Sequence, residues 1–98
     1  MIKFPVYVLM MVTAYTASPD EGCREDALTA SGVTARANFT AAADDLPYGT
    51  KIRFLDGSVR VIEDRFGGGY TNRIDIYMET KEEALAFGKQ WLFVEVER

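Results

Sequence analysis

The chain has 98 residues, of which 48% are hydrophobic, and a formal net charge of −4. This suits one domain with a packed core and argues against a nucleic-acid partner. With no histidine and a single cysteine, Cys23, the chain cannot form a Ser-His-Asp triad, a Cys-His pair, an HExxH or four-cysteine zinc site, or an intrachain disulfide framework. We therefore expect no metal and no other cofactor, and any catalysis must use Asp, Glu, Tyr, Lys or Cys23.

The segment from Val6 to Thr16 is rich in β-branched and aromatic residues, which predicts a first strand. The first dozen residues, MIKFPVYVLMMV, also resemble a short signal peptide, although the apolar run is too short to span a membrane. We predict a buried strand in preference to a cleaved signal. If the protein is exported, we expect it in the cell envelope or outside the cell. The polar segment from 17 to 29 is predicted to be irregular, and the spacing of its acidic residues fits no calcium loop.

The middle of the chain predicts short strands separated by turns. Residues Val33 to Ala43 predict one weak strand or two short ones, and Asp44 to Gly49 predicts a tight connection. Alternation of apolar and polar residues predicts strands from Lys51 to Leu55 and from Ser58 to Glu63. Asp56-Gly57 lies between them and is the strongest short signal for a hairpin.

The stretch VIEDRFGGGYTNRIDIY contains two aspartates, Asp64 and Asp75, eleven positions apart. Three successive glycines lie between them, in a loop that lets a ligand or another backbone approach closely. The strand predicted from Asn72 to Met78 places Asp75 on the face away from the core, together with Arg73 and Tyr77. Two carboxylates presented in this way are either a candidate acid/base site or ordinary anchors for loops.

A short helix and a last strand complete the chain. Thr80 and Glu83 form a capping box that predicts the helix start, and Gly88 predicts its end. The residues predicted to form its buried stripe are Ala84, Leu85 and Phe87. The last strand is predicted from the alternation of Leu92, Val94 and Val96, with Trp91 and Phe93 packed on its other face. About six short strands in so small a chain favour a closed barrel.

Six short segments occur in the order typical of the three-aspartate (3D) domain family, and together they cover nearly the whole chain. They are Thr13-Ala14-Tyr15-Thr16, Thr29-Ala30-Ser31-Gly32, Leu46-Pro47-Tyr48-Gly49-Thr50, Glu63-Asp64, Asn72-Arg73-Ile74-Asp75-Ile76-Tyr77 and Glu83-Ala84-Leu85-Ala86-Phe87-Gly88. The family includes the C-terminal part of membrane-bound lytic transglycosylase A and small stationary-phase cell-wall proteins of Gram-positive bacteria. More distantly, Asp64-Arg65 is similar to a segment of rare lipoprotein A, whose histidine partner is missing here.

The resemblance implies a six-stranded double-psi β-barrel with one short helix, spanning residues 1–98 as one domain. It also implies non-hydrolytic cleavage of peptidoglycan glycan strands between N-acetylmuramic acid and N-acetylglucosamine, with a 1,6-anhydro product. The family's catalytic aspartate maps to Asp75 and its second aspartate to Asp64. Its first maps to Asp44, with Asp45 as the alternative. The residues that we expect to contact the glycan are Tyr15, Thr29, Tyr70, Asn72 and Tyr77.

Two other functions remain open at this point. The domain could bind peptidoglycan or another polysaccharide without cutting it, which requires only a flat aromatic strip. It could also be an adaptor without a carbohydrate role, which would show an apolar patch large enough for a protein. An enzyme instead needs Asp75 in an open groove, turned away from the guanidinium groups of Arg65 and Arg73, because a close cation favours the carboxylate over the protonated acid.

Overall fold

The computed structural model describes residues 6–16 and 28–97. The first five residues and the segment from 17 to 27, which includes Cys23 and the acidic part of the predicted irregular segment, lie outside the described residues. The secondary-structure elements, in chain order, are β1 (Tyr7–Tyr15), β2 (Thr40–Ala42), β3 (Lys51–Phe54), β4 (Val59–Asp64), β5 (Arg73–Tyr77), α1 (Lys81–Phe87) and β6 (Gln90–Glu97).

The six strands close into a barrel in the order β1-β5-β2-β4-β3-β6. The pairs β1/β5 and β2/β4 are parallel, whereas β1/β6, β2/β5, β3/β4 and β3/β6 are antiparallel. Exchanging β1 with β4, β2 with β5 and β3 with β6 leaves this set of pairings unchanged. That internal twofold relation is the one expected of a double-psi barrel, and the predicted fold class is confirmed.

The core lies inside the barrel and is filled by alternate residues of the strands. The side chains that are completely buried include Val12, Ile52, Ile62, Ile74 and Val94. Burying one such side chain contributes roughly 1.5–3 kcal/mol. Since successive residues of a strand point to opposite faces, the buried Ile74 and Ile76 direct the intervening Asp75 outward, as the sequence predicts.

Local signals place several boundaries correctly. Asp56 accepts hydrogen bonds from the backbone N–H (2.8 Å) and the hydroxyl (2.6 Å) of Ser58, and so builds the predicted β3–β4 hairpin. The Thr80 side chain caps α1 by accepting the Glu83 N–H. The strand predicted from Val33 to Ala43 is too long, however. Only its last residues pair as β2, because Asn38 adopts a φ of 64° in a turn that precedes the strand.

Near the C-terminal end, Ala84 and Phe87 pack inward as predicted, but the predicted packing of Leu85, Trp91 and Phe93 is wrong. Leu85 is 68% exposed, because α1 has only seven residues and packs through Ala84 and Phe87, which lie three positions apart on one face. Trp91 and Phe93 are 63% and 50% exposed. A closed barrel has one interior, and no element of the described chain covers the outer face of β6 at these residues. No helix within residues 6–16 and 28–97 has the length and apolarity to cross a membrane.

Candidate functional site

Asp75 lies on the outer face of β5, directly opposite Thr13 of β1 and Ala42 of β2. The side chain is half-buried, and its Oδ1 accepts a hydrogen bond from the Thr13 hydroxyl over 2.9 Å. A hydroxyl can both donate and accept. Thr13 can therefore remain bonded to Asp75 whether the carboxyl group is ionised or protonated, which is the property that a group acting first as acid and then as base requires.

Asp64 ends β4 and is a loop anchor. Its Oδ1 accepts the backbone N–H groups of Ala30 (2.8 Å) and Arg65 (2.9 Å), and its Oδ2 accepts the hydroxyl of Tyr15 (3.0 Å). Ala42 is the register partner of both Asp64 and Asp75, so the Cα atoms of the two aspartates are two strand spacings apart, about 9–10 Å. The predicted pair of carboxylates thus lies on the two strands that flank β2, and each member has a different task.

Tyr15 is on β1, like the Asp75 partner Thr13, and contacts Asp64. It lies two residues beyond Thr13 on the same face of β1, and its hydroxyl is bonded to Asp64. The rings of Tyr15 and Tyr77 meet edge to face, with centroids 5.5 Å apart and an interplanar angle of 73°. Tyr77 is only 8% exposed, so it supports Tyr15 rather than presenting a ring face of its own.

Asp44 binds the backbone of the loop that contains Gly67, Gly68 and Gly69, which we call the glycine loop. Its carboxylate accepts four backbone N–H groups at 2.8–3.2 Å, those of Phe66, Gly67, Gly68 and Tyr70. The Gly67 N–H contributes most, and with the other three it lowers the pKa of Asp44 below the ordinary value of 3.8. The neighbouring Asp45 accepts one N–H, that of Asn72, over 3.2 Å. Of the two residues considered for the first aspartate, Asp44 is the main structural anchor.

The loop requires glycine at two positions for different reasons. Gly67 has a φ of 94°, in the left-handed region that other residues rarely adopt. A Cβ atom on Gly68 would lie 2.6 Å from Cε2 of Tyr70. The absence of a side chain therefore lets the Tyr70 ring fold over the loop, where it packs edge to face on Phe66 with a centroid separation of 5.5 Å.

The two arginines that sequence analysis placed near the aspartates have other contacts. Arg65 donates from Nη1 to the carbonyl of Ala43 over 2.8 Å, and its guanidinium lies 3.9 Å from the ring centroid of Tyr48. The guanidinium of Arg73 lies 4.7 Å from the Tyr70 centroid and, more distantly, faces Phe66. Both cations thus stack on aromatic rings.

The remaining predicted contact residues are spread around this centre. Thr29 is 5% exposed and donates its hydroxyl to the Val33 carbonyl over 2.7 Å. It therefore stabilises the turn that contains Ala30, whose N–H is bonded to Asp64. Tyr70 is 45% exposed at the surface of the glycine loop. Asn72 is exposed, with a φ of 55°, directly before β5.

Trp91 is a candidate contact residue that the sequence analysis missed. It is opposite Met11 in β1, which in turn is opposite Arg73 in β5, so the three form one row across the outer face of the barrel. A cavity of about 470 Å³ is lined there by Asn72, Arg73, Lys89 and Trp91, among others. Thr13 and Asp75 form the next row. Because Trp91 alternates with the inward-facing Leu92 and Val94, the sequence correctly places it on the other face of β6. Nothing in the sequence indicated that this face is exposed to solvent.

Neither a protein-family model nor a curated protein sequence matches the chain. The features that indicate a function are therefore the geometry of the site and the order of the motifs. In that geometry, Asp44 and Asp64 hold backbone N–H groups, whereas Asp75 is bonded to a side-chain hydroxyl on the outer face.

Proposed function

We propose that the domain is a lytic transglycosylase that cleaves peptidoglycan glycan strands between N-acetylmuramic acid and N-acetylglucosamine. The observation that carries the proposal is the division of labour among the three aspartates. Asp44 and Asp64 are held by backbone N–H donors, which favour the ionised form of a carboxyl group. One hydrogen-bond partner of Asp75 is the Thr13 hydroxyl, which is compatible with either protonation state.

In the proposed reaction, protonated Asp75 gives its proton to the glycosidic oxygen, and the bond from that oxygen to C1 of N-acetylmuramic acid breaks. C1 becomes oxocarbenium-like. The O6 hydroxyl of the same sugar attacks C1, and the Asp75 carboxylate takes the proton that O6 releases. The proton on Asp75 is restored, no water is consumed, and the products are a 1,6-anhydro end and a free 4-hydroxyl.

Exposed aromatic rings near the Arg73 end of β5 support a polysaccharide as the ligand. Tyr70 is on the glycine loop. Trp91 is on β6, two strands from β5, in the row next to that of Asp75. Standard sheet spacings put the Cα atoms of Trp91 and Asp75 about 12 Å apart. Rings of this kind present large, rigid faces with little entropy to lose. A glycan that follows the row of Trp91, Met11 and Arg73 would lie one row from Asp75.

The second candidate function is binding of peptidoglycan without cleavage. The row of Trp91, Met11 and Arg73 favours it, because an exposed indole beside a cation needs no acid/base group to hold an anionic, ring-containing polymer. The same surface serves both functions, and only the chemistry at Asp75 separates them.

The proposal is tested by incubating the purified protein with peptidoglycan and analysing the soluble fragments by mass spectrometry. We expect fragments that end in 1,6-anhydro-N-acetylmuramic acid. If the glycan stays intact but sediments with the protein, the binding function replaces the catalytic one. If the protein neither cleaves nor sediments with peptidoglycan, both proposals are wrong.

Trp91→Ala is expected to raise KM for soluble glycan fragments about 3- to 10-fold with little change in kcat, since stacking of this kind is worth about 0.5–1.5 kcal/mol and acts equally on substrate and transition state. The melting temperature should change little because the indole is 63% exposed. Phe93→Ala is the matched control: Phe93 is a half-exposed ring on the same strand, opposite Leu9 and two residues from Trp91. Equal effects of the two substitutions would contradict a specific role for Trp91.

A further inference from the structure

The described part of the barrel has a second cavity, on the opposite side of the strand wall from Asp75. Its volume is about 440 Å³, and its walls are mainly apolar, with Phe54, Ile76, Met78, Phe87 and Leu92 among the lining residues. Pockets of 300–1,000 Å³ with apolar walls and a few polar groups are typical sites for small molecules. Its polar lining includes the guanidinium of Arg60, together with Asp56, Ser58 and Gln90.

Arg60 is an unusual residue for such a position. It points into the barrel from β4 and is only 9% exposed. Its Nη1 donates to the backbone carbonyl of Tyr77 over 3.2 Å, whereas a guanidinium carries five N–H donors. Desolvation lowers the pKa of Arg60, but an arginine side chain stays protonated in proteins. A cation that lines the cavity is therefore held largely among apolar side chains.

Asp56 does not neutralise this charge by direct contact. It attracts Arg60 electrostatically from the rim of the cavity, but its Oδ1 is bonded to the hydroxyl and N–H of Ser58 in the hairpin turn. Among the described residues, the ion pairs of the other arginines join Arg36 to Glu63 and Arg53 to Glu95 and Glu97. Within the described residues, Arg60 is thus a buried cation whose one hydrogen-bond acceptor is the neutral carbonyl of Tyr77.

We propose that this cavity binds a small organic monocarboxylate with an apolar body. The carboxylate would pair with the free donors of Arg60, for which bidentate geometry is favourable, and the apolar body would lie against Met78, Phe87 and Leu92. At about 30 Å³ for each water-sized group, 440 Å³ accommodates about 15 non-hydrogen atoms. Since Ile76 faces this cavity and Asp75 faces outward, the site does not depend on the proposed glycan chemistry.

The test is titration of the ¹⁵N-labelled protein with octanoate and, as an uncharged probe of the same length, 1-octanol. We expect saturable shifts of the amides of Met78, Phe87 and Leu92 with octanoate, and binding of octanol that is weaker by about tenfold or more, as the loss of a charge-assisted hydrogen bond predicts. Equal affinity for the two probes, or shifts confined to residues outside the cavity, would overturn the proposal.

Two variants locate the binding. Arg60→Met keeps an unbranched apolar stem of similar length and should remove the preference for octanoate over octanol. Gln90→Trp changes an exposed residue at the rim of the cavity and leaves Arg60 in place, so it should fold even if Arg60→Met does not, and it should weaken octanoate binding by obstructing the entrance. Octanoate affinity that is unchanged in Gln90→Trp, or a preference retained by folded Arg60→Met, contradicts the assignment.

Discussion

Asp75→Asn is expected to lower the rate at which anhydro-muropeptides are released by about 10²- to 10⁴-fold, which is the usual contribution of a general acid/base group. An amide has nearly the shape of a carboxyl group, and its oxygen can still accept the Thr13 hydroxyl. It cannot, however, give a proton to the glycosidic oxygen or take one from O6. The measurement is the rate of formation of anhydro-terminated fragments, with circular dichroism and thermal unfolding to show that the barrel persists.

Asp56→Asn provides the matched control. It makes the same substitution in an exposed hairpin turn, where the carboxylate accepts hydrogen bonds from Ser58 and attracts Arg60 electrostatically. Activity should therefore be close to wild type, with a small loss of stability. Full retention of cleavage by Asp75→Asn would remove Asp75 from the chemistry. Retained glycan binding alongside lost cleavage is the result that separates the enzyme from a binding domain.

The same assay, applied to Asp64→Asn, tests whether Asp64 has a structural or a catalytic role. Asp64→Asn loses part of the support for Tyr15 and for the turn at Ala30, so we expect a lower melting temperature together with reduced activity. If Asp64→Asn instead matched Asp75→Asn in activity with unchanged stability, both carboxylates would take part in the reaction.

The parts of the fold that the sequence predicts correctly are those whose signals are local. The β3–β4 hairpin follows from Asp56-Gly57, and the start of α1 follows from the Thr80 cap. The direction of Asp75 follows from the alternation along β5. In each case the deciding hydrogen bond or packing contact joins residues that are close in the chain, so residue type and spacing are sufficient.

The predictions that fail depend on contacts between distant segments. Whether Trp91 is covered depends on what packs outside β6, which alternation cannot report. The role of Asp44 depends on a loop more than twenty residues further along the chain, and no residue near Asp44 indicates it. The buried position of Arg60 also escapes prediction, because the two flanking valines of its strand suggest the opposite face as the core.

Asp44→Ala is expected to have the second-largest effect, and the effect should be confined to the glycine loop. The substitution leaves four backbone N–H groups, at residues 66, 67, 68 and 70, without their acceptor. We expect their amide hydrogen exchange to accelerate by about tenfold or more, as in a segment that opens locally. Asp45→Ala is the matched control, since Asp45 accepts a single N–H, that of Asn72. Equal exchange in the two variants would show that the Asp44 carboxylate does not hold the loop.

The pH dependence of the wild-type loop gives an independent test of the same contact. Because the folded-state pKa of Asp44 is lowered from 3.8, its stabilising contribution is complete above that value and is lost as the pH falls through the folded-state pKa. Protection of the loop amides should therefore decline in acid, and Asp44→Ala should lack this decline. Asp56, whose pKa is lowered chiefly by the Ser58 hydroxyl, should produce a similar decline in the β3–β4 hairpin of both proteins. A loop whose protection in Asp44→Ala still falls below pH 4, in parallel with the wild type, would have to be held by a different acid.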